Sequence, residues 1–326
     1  MKWSGTTVTV TGAGGFIGSH LTERLVTLGA RTRAVVHYNG DGRRGWLDHS
    51  AVAGDIDVIA GDVRDPASVQ RAFDGVEVVF HLAALIAIPY SYVSPESYVR
   101  TNVEGTLNVL DLARRAGARV VHTSTSETYG TAQYTPIDER HPTCAQSPYA
   151  ASKAGADQLA LSYYHAFALP VTVVRPFNTF GPRQSPRAVI PTIVTQALEG
   201  QAVRLGSLTP RRDLTFVADT VDGFVRAAEV ERAVGETVNL GTGHDVSIGE
   251  LAARILDLVG SGARVTEDPR RVRPDGSEVW RLVCDASKAA TLLDWRPRTS
   301  LDDGLRETIE WFRTRRGAYD TATYHV

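Results

Sequence analysis

Short apolar runs rich in β-branched residues alternate with helically spaced stretches through the first half of the chain. Residues 6–10, 33–37, 56–60, 76–82, 119–123 and 171–175 read as strands. Residues 17–28, 66–73, 98–116 and 149–167 read as helices between them. Strands that are apolar almost throughout are buried on both faces, and strands joined by helices form a parallel sheet. The pattern therefore predicts an α/β chain with a doubly wound parallel sheet.

After Arg175 the rhythm breaks. Pro176, Pro182, Pro186, Pro191 and Pro210 punctuate loops around a helix at 190–198, and residues 237–240 read as one more buried strand. Helices at 248–259 and 301–315 flank a loop at 269–274 that is rich in arginine and proline. The expected division is a dinucleotide-binding domain over 1–176, to which 213–243 returns, and a smaller α/β substrate-binding lobe over 177–326.

Composition narrows the function classes. The chain has 326 residues, 43% of them hydrophobic, and a net charge of −2. That is ample for a sizeable core and lacks the clustered basic charge of a nucleic-acid binder. Cys144 and Cys284 are its two cysteines, which excludes a disulfide framework and a cysteine-rich zinc site. Cys144 is expected to be a packing residue. No apolar run reaches the roughly 18 residues that span a bilayer, and Met1-Lys2-Trp3-Ser4-Gly5 has no signal-peptide character. The expectation is a soluble, cytoplasmic protein without a metal.

The first predicted strand runs into Thr11-Gly12-Ala13-Gly14-Gly15-Phe16-Ile17-Gly18, and a helix follows. Gly12 can make the tight turn, Gly15 can let backbone approach a pyrophosphate, and Gly18 can let helix and strand pack closely. The helix N-terminus offers N–H groups and partial positive charge to phosphates. Strand, loop and helix in this order predict a Rossmann-type dinucleotide site. The acid that takes a ribose 2′-hydroxyl should end the second strand, but His37-Tyr38-Asn39-Gly40 stands there. NAD and NADP are both left open, with Arg43 or Arg44 available to a 2′-phosphate and Asp62 to the adenine edge or to a helix cap.

Tyr149 and Lys153 lie four apart at the start of a predicted helix, on one face. A free phenol titrates near ~10. An adjacent ammonium favours the phenolate, and bringing the phenol down to neutrality takes about 4 kcal/mol of electrostatic stabilisation. Tyr149 can then take a proton from a substrate hydroxyl. The chain has three lysines, Lys2, Lys153 and Lys288, against eleven tyrosines, so chance rarely makes this pair. Thr125, Ser126 and Glu127 follow the fifth predicted strand, at the sheet edge where ligands bind. Thr125 can hydrogen-bond the reacting hydroxyl, Ser126 a departing one, and Glu127 can remove a proton from the carbon beside a new ketone.

These motifs together resemble the extended short-chain dehydrogenase/reductases. They are Gly12 to Gly18, Gly61-Asp62-Val63, His81-Leu82-Ala83-Ala84, Tyr149 with Lys153, Arg175-Pro176-Phe177-Asn178 and Arg211-Arg212-Asp213. Thr125-Ser126-Glu127, Gly45-Trp46-Leu47-Asp48 and Leu85 to Tyr90 look most like nucleotide-sugar 4,6-dehydratases of the GDP-mannose and UDP-N-acetylglucosamine type. The resemblance implies a tightly held NAD or NADP contacted by Gly12, Gly15, Phe16, Ile17, Gly18, His37, Asp62, Val63, Leu82, Ala83, Ala84, Tyr149 and Lys153. It implies that Tyr149 deprotonates the 4-hydroxyl as hydride leaves C4, that Glu127 takes the C5 proton, and that hydride returns to C6 after water departs. Asn178, Arg212 and Arg273 would hold a nucleotide-diphosphate sugar. A homodimer through a four-helix bundle of 98–116 and 149–167 is implied as well. Ser126 stands where dTDP-glucose enzymes carry an acid, which leaves room for 5,6-dehydration; a 4-epimerase is the other alternative.

Overall fold

The computed structural model describes residues 2–315. Its thirteen strands are β1 (Thr7–Thr11), β2 (Arg31–His37), β3 (Ile56–Gly61), β4 (Val78–His81), β5 (Arg119–Thr123), β6 (Val171–Pro176), β7 (Asn178–Phe180), β8 (Val203–Leu205), β9 (Arg211–Phe216), β10 (Thr237–Leu240), β11 (Asp245–Ser247), β12 (Val265–Glu267) and β13 (Arg281–Leu282). Seven of them form one sheet in the order β10-β6-β5-β4-β1-β2-β3, with every neighbouring pair parallel. The chain winds outward from β1 through β3, returns to place β4 beside β1, and winds the other way. The crevice at the carboxyl ends of β1 and β4 is thus the ligand position of a doubly wound sheet.

Helix ends follow their local chemistry. The Pro148–Phe167 helix starts with Pro148 in its first turn, and the Ser147 hydroxyl accepts from the Ala150 N–H, both favoured starts. The Ile248–Val259 helix starts with a reciprocal Ser247–Glu250 capping box. The Phe16–Thr27 helix differs, because Gly15 precedes it and no side chain caps it.

The central strands bury Val8, Val10, Val78, Phe80, Val121 and Val174, and the same apolar cluster continues beyond β6 through Phe180, Phe216, Ile255 and Phe312. Each such side chain contributes about 1.5–3 kcal/mol by leaving water. This shared core packs the chain beyond β6 against the sheet.

The structure departs from the sequence pattern in places. The helix expected over 98–116 is three segments, Pro95–Tyr98, a widened π-type stretch Val99–Glu104, and Gly105–Ala116. Asn102 in the widened stretch hydrogen-bonds both the N–H and the carbonyl of Leu85, at 2.8 and 3.0 Å. A Cβ at Gly105 would lie 2.8 Å from Val63 Cγ2. Strand β9 and the Val217–Glu229 helix also escape the periodic reading. Around β9, β11 pairs antiparallel and β7 and β13 parallel.

Candidate active site

The glycine loop closes on itself. Gly12 has φ +69, and a Cβ there would lie 2.8 Å from the Ala83 nitrogen. A Cβ on Gly18 would lie 2.2 Å from the Gly12 carbonyl oxygen. The Leu82 and Ala83 N–H groups donate to Thr11 Oγ1, each at 3.1 Å. Residues 44–46 cross the loop: a Cβ on Gly14 would meet the Arg44 carbonyl at 2.6 Å, and the Trp46 N–H donates to the Gly14 carbonyl at 3.0 Å. With no side-chain cap before Phe16, the first-turn N–H groups of Phe16 and Ile17 face the space a pyrophosphate would fill. These residues fit a dinucleotide. Gly18→Ala forces backbone apart, so we expect about 1–3 kcal/mol of destabilisation and at least about tenfold weaker NAD binding. Thermal unfolding and direct cofactor titration measure the two.

The adenine edge differs from the expected picture. Asp62 does not cap the helix at Pro66; Asp65 does, accepting from the Ala67 N–H. Asp62 is held by Arg64 at 2.5 Å, which lowers its carboxyl pKa, and His37 Nδ1 lies 3.9 Å away. The Val63 carbonyl accepts from Asn108 at 2.9 Å. Arg43 pairs with Asp41 at 3.5 Å and Arg44 with Asp48 at 2.9 Å, so both arginines already carry carboxylate partners.

Tyr149 and Lys153 lie on the inner face of the Pro148–Phe167 helix, both buried, with Lys153 only 3% exposed. Tyr149 packs edge-on against Tyr98, ring centroids 6.2 Å apart, and its phenol hydrogen-bonds Thr125. Here the phenolate expected from the sequence is corrected. Burial pushes the Tyr149 pKa above its ordinary value, the Thr125 hydroxyl opposes this, and the Glu127 charge adds to it. The two residues share the helix face expected from their spacing, and desolvation is the largest effect on the phenol in the ligand-free protein. Burial also lowers Lys153 to about 8, opposed by Asp157.

The turn Ser126–Tyr129 begins at Thr125, whose hydroxyl accepts from the Glu127 N–H. Ser126 is buried, and so is Glu127, at 7% exposure. The Glu127 carboxylate acts electrostatically on the Tyr149 phenol and on the Arg212 guanidinium alike. Its charge is thus felt by both groups.

Arg212 and Arg273 meet on one carboxylate, with Glu278 Oε1 at 3.2 Å from Arg212 and 3.5 Å from Arg273. Burial lowers the pKa of Arg212, which the Glu127 and Glu278 charges oppose. Asn178 opens β7, and its buried Oδ1 has no hydrogen-bond partner, as expected of an amide meant for a ligand. Cys144 is exposed and so is not the packing residue expected. No group of His, Cys, Asp or Glu among the described residues could hold a metal ion, and no described helix is long and apolar enough to cross a membrane.

Sequence reasoning missed three participants. Glu278 joins the two arginines. Gln146 ties the segment after β5 to the one before β13, donating to the Gly276 carbonyl at 3.0 Å and accepting from the Thr131 N–H at 2.5 Å. Asp157 lies one helical turn beyond Lys153, and that spacing was its available signal.

Comparison with known proteins agrees with this geometry. The family model described as GDP-mannose 4,6 dehydratase matches residues 9–308. A dTDP-glucose 4,6-dehydratase of Streptomyces antibioticus is 36% identical over 321 residues, covering 95% of this chain and 93% of that protein. UDP-glucuronic acid decarboxylase 1 of Xenopus tropicalis is 33% identical over 323 residues, covering 94% and 72%. The crystal structure of DesIV, a dTDP-glucose 4,6-dehydratase from Streptomyces venezuelae with NAD and TYD bound, superposes with a TM-score of 0.89 at 32% identity, over 97% of this chain and 99% of that one. Sequence, fold and site geometry converge, and the chain belongs to the GDP-mannose 4,6 dehydratase family, within the extended short-chain dehydrogenase/reductases.

Proposed function

We propose that the protein is a nucleotide-sugar 4,6-dehydratase, and that Glu127 is the observation that carries this reading. A 4-epimerase needs no base at C5. A buried carboxylate whose charge reaches both the Tyr149 phenol and the Arg212 guanidinium is a base available to C5 of a sugar whose diphosphate meets the arginines and whose O4 meets the tyrosine.

In this reading Arg212 and Arg273 hold the diphosphate, for which guanidinium forks are suited, and Asn178 contacts the sugar or its phosphate. Tyr149 takes the O4 proton, with Thr125 hydrogen-bonded to the same phenol. The nicotinamide, when bound, supplies the hydride acceptor for C4, a positive charge beside the phenol, and the hydride that returns to C6. Glu127 removes the C5 proton, acidified by the 4-keto group. Serine is a poor acid, so Glu127 rather than Ser126 gives that proton to the departing C6 hydroxyl. Water leaves, the carboxylate is restored, and C5 later takes a proton from solvent. The Lys153 ammonium favours the phenolate and is lost as pH rises through about 8. Turnover should therefore fall on the alkaline side of that value, read as the upper limb of a kcat–pH profile.

The test is a panel of nucleotide-sugars followed by mass spectrometry. A product lighter by one water supports the reading. An isomer of equal mass means an epimerase, loss of carbon dioxide a decarboxylase, and an unchanged panel a binding protein. Deuterium counting would separate 5,6-dehydration.

The same reading includes a homodimer through a four-helix bundle. Its support is apolar surface on the two segments concerned: Val99 is 49% exposed, Leu107 40% and Phe167 53%. Sedimentation would test it.

A further inference from the structure

Beneath Lys153 lies a buried polar cluster that the proposed chemistry does not use. Asp157 follows Lys153 by four residues on the same helix and Tyr149 by eight, so the three share one face. Asp157 is only 2% exposed. Ser124 donates to its Oδ2 at 2.5 Å, Arg175 Nη2 donates to the same oxygen at 2.7 Å, and His122 Nε2 lies 3.2 Å from Oδ1. Arg175 Nε also donates to Ser124 Oγ at 3.1 Å, and its guanidinium lies over the Tyr129 ring, 4.6 Å from the centroid. The carboxylate is thus clamped by groups from β5 and β6 and cannot swing away.

A buried ammonium needs a counter-charge, because desolvation disfavours its charged form. The groups around Lys153 are largely unsuited to that task. His81 from β4 and His122 from β5 both feel its charge and are both kept neutral, first by burial. His81 is tied up between Thr11 at 2.8 Å and Thr106 at 3.0 Å. Arg175 from β6 is cationic. Glu127, from the turn after β5, acts on Tyr149 and Arg212. Asp157 is the group whose charge opposes the desolvation of Lys153. Burial alone would raise the Asp157 carboxyl, but His122, Arg175 and Ser124 overcome this and hold it at about 2, so the counter-charge persists across the working range.

We infer that Asp157 is a positioning residue for catalysis: clamped by Ser124, Arg175 and His122, it is the fixed counter-charge that keeps Lys153 an ammonium beside Tyr149. The inference rests on the reading of Tyr149 and Lys153 as the proton-transfer pair. It makes the cluster part of the site's electrostatics rather than only of its packing.

The chain's three lysines make a direct test practical. With ε-carbon-13 lysine, the cofactor-loaded enzyme shows three resonances, and the one absent from Lys153→Met is Lys153. In the wild type that resonance should be an ammonium at pH 7. In Asp157→Asn its midpoint should fall by about one pH unit, a tenfold loss of proton affinity, and the alkaline limb of kcat should move down equally. Asp157→Glu, which keeps the charge, should restore both. A folded Asp157→Asn enzyme whose Lys153 midpoint is unchanged, with activity reduced alike at all pH values, overturns the inference and leaves a structural role. If that variant does not fold, a wild-type Lys153 that is neutral at pH 7 overturns it independently. Full turnover by Lys153→Met would instead sink the reading of the catalytic pair.

Discussion

Tyr149→Phe should cut turnover by about three orders of magnitude, within the range that a positioned acid–base contributes, while leaving cofactor and nucleotide-sugar binding near wild type. The ring is retained, so the edge-on contact with Tyr98 and the burial of the helix face persist. Only the hydroxyl, and its hydrogen bond with Thr125, are removed. Without it the proposed chemistry has no group to take the O4 proton. The result should appear in kcat and kcat/KM equally, as for an interaction made in the transition state. A variant with unchanged kcat and raised KM would make Tyr149 a binding residue.

Glu127→Gln should separate the two halves of the reaction. The amide is isosteric with the carboxylate, but it cannot take a proton. Oxidation at C4 does not need it, so the near-ultraviolet absorbance of reduced cofactor should build up on substrate addition. Exchange of the C5 hydrogen with deuterated solvent, and release of water, should fall by about 10²–10⁴-fold. Exchange at the wild-type rate would show that another base acts at C5.

The parts legible in the sequence were those whose signal is local. The parallel strands up to β6 announce themselves as apolar runs, the glycine loop as a strand–loop–helix unit, and the Tyr149–Lys153 pair as a helical spacing. Each depends on neighbours within a few residues. Strand β9 was not legible, because it opens with Arg211, Arg212 and Asp213 and looks like a charged loop. Its charges are buried only through distant partners. Asp213 accepts from the Thr242, Gly243 and Cys284 N–H groups at 2.9, 2.9 and 3.0 Å, and Arg212 meets Glu278. No window of sequence contains those contacts.

Asp157 fails for the same reason. A carboxylate on a helix ordinarily faces water, and the donors that bury it come from two strands. The state of Tyr149 shows a different limit. Spacing reports that a lysine shares the helix face, but not how deeply the phenol is desolvated, and burial is the largest effect on it here. Likewise Arg43 and Arg44 look free to meet a phosphate in the sequence, whereas the fold gives each a carboxylate neighbour.

Central to the proposed chemistry is that one site oxidises C4 of a sugar and then reduces C6 of the same molecule. The most direct measurement starts from whichever nucleotide-sugar loses water, prepared with deuterium at C4 and mixed with unlabelled substrate. Proton and deuterium NMR then locate the label in the product. The expected result is deuterium at C6 of labelled molecules, with no crossover into unlabelled ones. Deuterium still at C4 of an isomer, or its absence from C6 of a dehydrated product, would contradict it.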